Sequence, residues 1–220
     1  MINPKQLIAY GYIILFIACS TQSSQQPPVE EGNFKDSDLV ELIKIDSALT
    51  LDIRYATNNN LAGKPVYDEA RAFMQRPAAV ALAESNKELR ALGYGLLIFD
   101  GYRPWSVTKL FWDITDEKNR IFVADPAKGS KHNRGCAVDL SLFEISTGKE
   151  VEMPGAYDEM SERSFPTYKG GTEQQRKMRD LLRTTMEAHN YIVDENEWWH
   201  FDYKDWKSYR IQNISFAEIK

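Results

Sequence analysis

Two short stretches of this 220-residue chain carry side chains that could hold a metal ion and move a proton. Residues 130–139 read SKHNRGCAVD and residues 195–200 read ENEWWH, which together supply His132, Asp139, Glu197 and His200. A catalytic zinc site takes three protein ligands, keeps an open position for water, and has a carboxylate beside it to accept that water's proton. His132, Asp139 and His200 are the candidate ligands and Glu197 the candidate base, a set suited to one-metal hydrolysis.

The surrounding elements have to bring these groups together. Gly129 and Gly135 bracket His132 in a basic, turn-forming loop, and AVDLSLF, residues 137–143, reads as a short strand. Asp139 then falls inside an apolar strand, where a lone carboxylate is costly to bury unless a cation or hydrogen bonds compensate it. Positions seven apart on one unbroken strand face opposite ways, so His132 has to reach back from the loop, with Gly135 permitting the bend. The aromatic run NEWWHFDY, residues 196–203, reads as a second strand. Glu197 and His200 would lie on its opposite faces unless a bulge intervenes or the strand starts after Glu197. At least one of Trp198 and Trp199 is expected to pack as core or cavity wall. His189 ends a helical stretch with no acid or histidine at ligand spacing, and reads as structural. Cys136 lies four residues after His132 and could chelate, but a fourth protein ligand would close the position that catalysis needs, so a small buried role is expected.

SKHNRGCAVD has the form S-x-H-x-x-G-x-A-x-D and EWWH the form E-x-x-H; together they resemble the zinc-binding signatures of the D-alanyl-D-alanine dipeptidases, in the wider group that also holds zinc D,D-carboxypeptidases. DIRYATNNNLAGKPVY (residues 52–67), FDGYRP (99–104), YDEMSERS (157–164) and the terminal aromatic strand resemble that family in the same order, so the likeness covers about residues 38–210. The resemblance implies one zinc ion per chain held by His132, Asp139 and His200, Glu197 as general base, and Arg103 stabilising the tetrahedral intermediate. It also implies Asp158 near the free amine of the substrate. Ser130 either helps to bind substrate or caps the loop. An arginine fixed by the following proline can give charge-assisted hydrogen bonds to a developing oxyanion; without the family context, a surface salt bridge is an equal reading of Arg103.

The N-terminus bears on location. Lys5 precedes a nearly continuous apolar run from Leu7 to Ala18, too short to cross a membrane comfortably and shaped like an export signal. Phe16-Ile17-Ala18-Cys19 resembles a bacterial lipobox with an unusual first residue, which implies a lipid on Cys19 and a protein tied to the membrane on the periplasmic side; an ordinary cleaved signal peptide is the alternative. Residues 1–18 are then the signal, 19–37 a flexible tether rich in Ser, Gln, Pro and Glu, and 38–220 one catalytic domain. With Cys19 lipidated, Cys136, the other of the two cysteines, has no disulfide partner. A net charge of −5 with interspersed basic residues argues against a nucleic-acid or anionic-membrane surface.

Periodicity gives strands at 39–45, 49–55 and 94–99, and helices at 76–92, 104–115 and 171–190, the last capped by Thr172. Helices and strands mixed without a regular βαβ repeat argue for α+β. The resemblance implies the same, a small, mainly antiparallel sheet flanked by helices with zinc at the sheet. The expected activity is hydrolysis of D-alanyl-D-alanine from wall turnover or salvage. The nearer rival is a D,D-carboxypeptidase or endopeptidase acting on peptidoglycan stems. The further rival is a non-catalytic lipoprotein that binds zinc or wall peptide, against which Glu197 and Arg103 speak.

Overall fold

A computed structural model describes residues 26–220; the expected signal, Cys19 and the first part of the tether lie outside the described residues. Strands β1 (Leu39–Glu41) and β3 (Phe73–Gln75) form a small antiparallel pair. The main sheet has the order β2-β4-β5-β7-β6, from Thr50–Leu51, Tyr94–Asp100, Ala137–Glu144, His200–Tyr203 and Tyr191–Val193. Only the β2–β4 pairing is parallel. The α+β expectation of a small, mainly antiparallel sheet therefore holds.

Side chains alternate across β5, so Val138, Leu140 and Leu142 form one face and Ala137, Asp139 and Ser141 the other. All six are buried. Helices α2 (Arg76–Ala91) and α4 (Glu173–Ala188) pack on the sheet and on each other, covering the apolar face. Pro77 opens α2, where its missing N–H costs nothing. Thr172 caps α4 in a reciprocal box with Gln175, and Met178, Leu182, Thr185 and Met186 face inward, with Leu181 half-buried beside them. Helix α3 (Trp105–Ile114) follows the DGYRP turn on the polar side.

Two expected strands are shorter than their alternation suggests. After β1 the chain makes a single helical turn, α1 (Leu42–Ile45), closed by Asp46 N–H to Leu42 O and held by Asn86 on the Asp46 carboxylate. After β2, pairing with β4 ends at Asp52, and the Tyr55 carbonyl accepts from both Val66 and Tyr67. That loop swings Tyr55 into the polar cleft rather than continuing the sheet.

The tether expectation also reaches too far along the chain. The Glu30 carboxylate ion-pairs with Arg134 and accepts the Ile211 N–H, its carbonyl accepts from Arg210, and Arg210 stacks over Phe34 at 4.4 Å. Lys35 N–H bonds to Ser208 O, and Asp38 pairs with Arg76 at 2.7 Å. Few apolar groups are needed to hold this segment, because its charges and ring meet cations from distant parts of the chain.

Candidate metal centre and catalytic cleft

Strand register builds most of the centre. A bulge at Phe99 shifts β4 so that Asp100 stands opposite Asp139 of β5, and Asp139 stands opposite His200 of β7. Three polar side chains thus sit in a row across neighbouring strands, about one strand spacing of 4.7–4.9 Å apart. His132 comes from the loop, on a short 3-10 turn (His132–Arg134) that ends at Gly135 with φ +69°. A Cβ at Gly135 would lie 2.4 Å from a Leu39 methyl, so glycine is needed for space as well as for backbone angle. Residue 135 is where the chain turns from the loop into β5.

His132 Nε2 lies 3.0 Å from His200 Nδ1 and 3.3 Å from Asp139 Oδ1, and His200 Nδ1 lies 3.0 Å from the same oxygen. The outer nitrogens fix the tautomers. His132 Nδ1 meets the Gly101 carbonyl at 2.7 Å and His200 Nε2 meets an Asp202 oxygen at 2.9 Å, so both outer nitrogens carry the proton. In their neutral forms the two rings therefore turn their inner-nitrogen lone pairs, with one from the carboxylate, on one point. Ligand bonds of about 2.0–2.2 Å in a tetrahedron place ligand atoms roughly 3.3–3.6 Å apart, close to the distances seen. The residues fit a cation in both spacing and chemistry. Burial pushes the Asp139 carboxyl up, but the two imidazoles outweigh it and hold the group well below the usual carboxylate range. Burial opposes charge on His200, and Asp202 and Asp139 overcome it, raising the imidazole well above its ordinary value.

The second strand starts at His200, after Glu197, which resolves the facing problem without a bulge. Glu197 sits on the preceding turn, whose geometry is set by His200 N–H to Glu197 O, Leu140 N–H to Trp199 O and Trp198 N–H to Ser164 O. Both tryptophans are buried. The nearest Glu197 oxygen is 3.9 Å from His200 Nδ1, outside the triangle but at its edge. Burial, with Asp139 nearby, pushes its carboxyl well above the ordinary value despite the opposing His200 charge. A carboxylate of raised basicity is suited to taking a proton from water.

Arg103 is buried, which excludes the surface salt bridge. Its Nε donates to Asp100 at 2.9 Å, its Nη2 to Asp139 at 3.3 Å, and its guanidinium lies over the Tyr55 ring. Asp158 has a left-handed backbone, φ +59°. One of its oxygens accepts from the Tyr55 hydroxyl at 3.1 Å and the other is buried with no partner. Burial, reinforced by the charge of Asp139, pushes the Asp158 carboxyl up to about 7. Ser130 lines the cleft, and its Oγ accepts from His132 N–H, so it caps the His132 loop. Cys136 is fully buried outside the triangle, its thiol pushed up to about 12 by burial, and His189 bonds to Glu88 away from the cleft.

These groups open on one cavity of about 600 Å³ lined by Tyr55, Arg103, Ser130, Asp158, Glu197 and His200 among others. Several participants escape a reading of the sequence alone. Asp100 orients Arg103 and also accepts from Tyr67, Tyr157 donates to Asp139 at 3.2 Å, and Asp202 backs His200. The i,i+3 spacing of Asp100 and Arg103 in DGYRP was the one local signal available.

A family model described as D-ala-D-ala dipeptidase, Peptidase_M15, matches residues 35–219. A D-alanyl-D-alanine dipeptidase of Escherichia coli K12 is 32% identical over 82% of this chain and 92% of its own length. One from Enterococcus faecalis V583 is 38% identical over 68% of this chain and 83% of its own. A solved LD-carboxypeptidase structure, LdcB, aligns with a TM-score of 0.42 at 20% identity, covering 79% of this chain and 71% of that one. With a matched model spanning nearly the whole catalytic region and relatives this similar over most of its length, the chain belongs to the D-ala-D-ala dipeptidase family of metallopeptidases.

Proposed function

We propose that the cleft hydrolyses free D-alanyl-D-alanine with a zinc ion held by His132, Asp139 and His200. The observation that carries this reading is the unpartnered oxygen of Asp158, buried in the same cavity as the convergent lone pairs and Glu197. A buried carboxylate oxygen without a donor is costly, and a substrate ammonium would satisfy it. A free dipeptide carries that ammonium beside its scissile bond, whereas a stem peptide has an amide in its place. When bound, zinc would polarise the scissile carbonyl and bind the attacking water. Glu197 removes a proton from the water and returns it to the departing amine. Arg103, aimed by Asp100 and Tyr55, gives charge-assisted hydrogen bonds to the oxyanion. Ser130 keeps the His132 loop closed.

Purified protein should cleave D-Ala-D-Ala in preference to L-Ala-L-Ala or a stem pentapeptide; a chelator should stop it and zinc should restore it. Asp158→Asn should raise KM for the free dipeptide by about 10- to 100-fold, in line with the roughly 1.5–3 kcal/mol of a charge-assisted hydrogen bond. An N-acetylated dipeptide, poor with either form, should not discriminate between them. Faster cleavage of the pentapeptide, or an unchanged KM in the variant, would overturn the dipeptidase reading.

We also propose export and anchoring through a lipid on Cys19, supported by the apolar run and the small residue before the cysteine. Outside the cytoplasm the substrate comes from released wall fragments, so the role is turnover or salvage. Among the described residues no helix is long and apolar enough to cross a membrane. Mass spectrometry of native protein should find an acylated Cys19 as the N-terminus. Cleavage elsewhere without lipid removes the anchor and leaves the enzymology intact.

A further inference from the structure

Both ligand histidines are backed at their outer nitrogen, but by different partners. His132 leans on a neutral backbone carbonyl, whereas His200 leans on Asp202, two residues along the same face of β7. Asp202 is itself buried, and its carboxylate is shared: one oxygen takes His200 Nε2–H at 2.9 Å and the other takes the Lys131 ammonium at 2.6 Å. Lys131 immediately precedes His132, and its ammonium lies 5.7 Å from the centre of the Trp206 ring. The ion pair thus joins the loop that carries one ligand to the strand that carries the other.

We propose that Asp202, held by Lys131, is a positioning residue for the metal centre: it presents Nδ1 of His200 to the ion and ties the His132 loop to β7. This rests on the reading of His132, Asp139 and His200 as ligands. Asp194, His200 and Asp202 also cluster closely enough to hold a cation. A cation there would take His200 through Nε2 and displace Lys131 from Asp202, leaving the ring proton on Nδ1, the opposite of the tautomer proposed here. A carboxylate behind a ligand imidazole orients the ring and raises its donor strength, and loss of such partners typically weakens metal binding about 10- to 100-fold.

The test uses the full chain, with zinc affinity measured by competition against a chromophoric chelator. Asp202→Asn keeps shape and an acceptor while removing the charge, and should bind zinc about 10- to 100-fold more weakly than wild type. Lys131→Met should also weaken binding, and Lys131→Arg should restore it, a rescue that bulk packing would not produce. Two-bond proton–nitrogen spectra of the zinc-loaded wild type read the tautomers of its three histidines directly. His200 should carry its proton on Nε2 and His132 on Nδ1. If wild type holds zinc but Asp202→Asn matches its affinity, or His200 is protonated on Nδ1, the positioning role is wrong and the metal reading stands. If wild type binds no zinc, the metal reading fails and takes this one with it.

Discussion

Glu197→Gln protein should keep its metal and lose turnover by about 10²- to 10⁴-fold, the usual loss when a positioned base is removed. The carboxylate stands at the edge of the triangle of His132, Asp139 and His200, 3.9 Å from His200 Nδ1, and the turn that carries it is pinned through backbone groups that an amide leaves untouched. Glutamine fills the same volume but cannot accept a proton at neutral pH. Measured kcat alongside metal content by elemental analysis separates this from ligand loss, since His132→Ala or His200→Ala should release the ion. An active Glu197→Gln enzyme would discard the assigned base and move attention to Asp194, which lines the same cavity.

Arg103→Ala should damage both catalysis and folding. The guanidinium bridges Asp100 and Asp139, each almost fully buried. Removing one partner from a buried ion pair typically costs about 3–5 kcal/mol, because the remaining charge is left uncompensated. For a domain of this size that corresponds to roughly 6–20 °C in Tm. Loss of the oxyanion donor should lower turnover by about 10²- to 10³-fold. The contact with Asp139 implies that metal retention weakens as well. Arg103→Lys should recover part of the stability but little of the turnover, since one ammonium cannot reach Asp100, Asp139 and the oxyanion together. A normal melting curve for Arg103→Ala would show that the buried pair contributes little.

The centre was legible where a residue violated its own surroundings. Asp139 stands out as a carboxylate in an apolar strand, and Gly135 as the side-chain-free position between that strand and a histidine that had to bend back. Helices α2 and α4 were legible because their capping signals are local: Pro77 at the start of one, Thr172 with Gln175 at the start of the other. Asp100 and Asp202 were not, since their places follow from strand register and, for Asp100, from a bulge at Phe99 that no local pattern announces; Tyr157 was not, since it reaches Asp139 from a turn outside the sheet. Asp202 stands in full view in HFDY, but its partners are fixed only once β7 lies beside β5 and the His132 loop folds over it. The strand expectations over 39–45 and 49–55 overran their strands for a related reason. Alternating hydrophobicity records which side of the chain is buried, and both a helical turn and a loop can bury the same side.

The docked N-terminal segment has a geometric consequence for an anchored enzyme. Glu30 is fixed to Arg134, two residues from the candidate ligand His132, so in a chain acylated at Cys19 only the stretch between Cys19 and Glu30 would separate the lipid from a point held on the domain. At about 3.3–3.6 Å per residue, fully extended, those residues span no more than roughly 40 Å. The cleft would then patrol a thin layer next to the bilayer and draw on dipeptide diffusing close to the membrane, out of reach of wall polymer lying farther away.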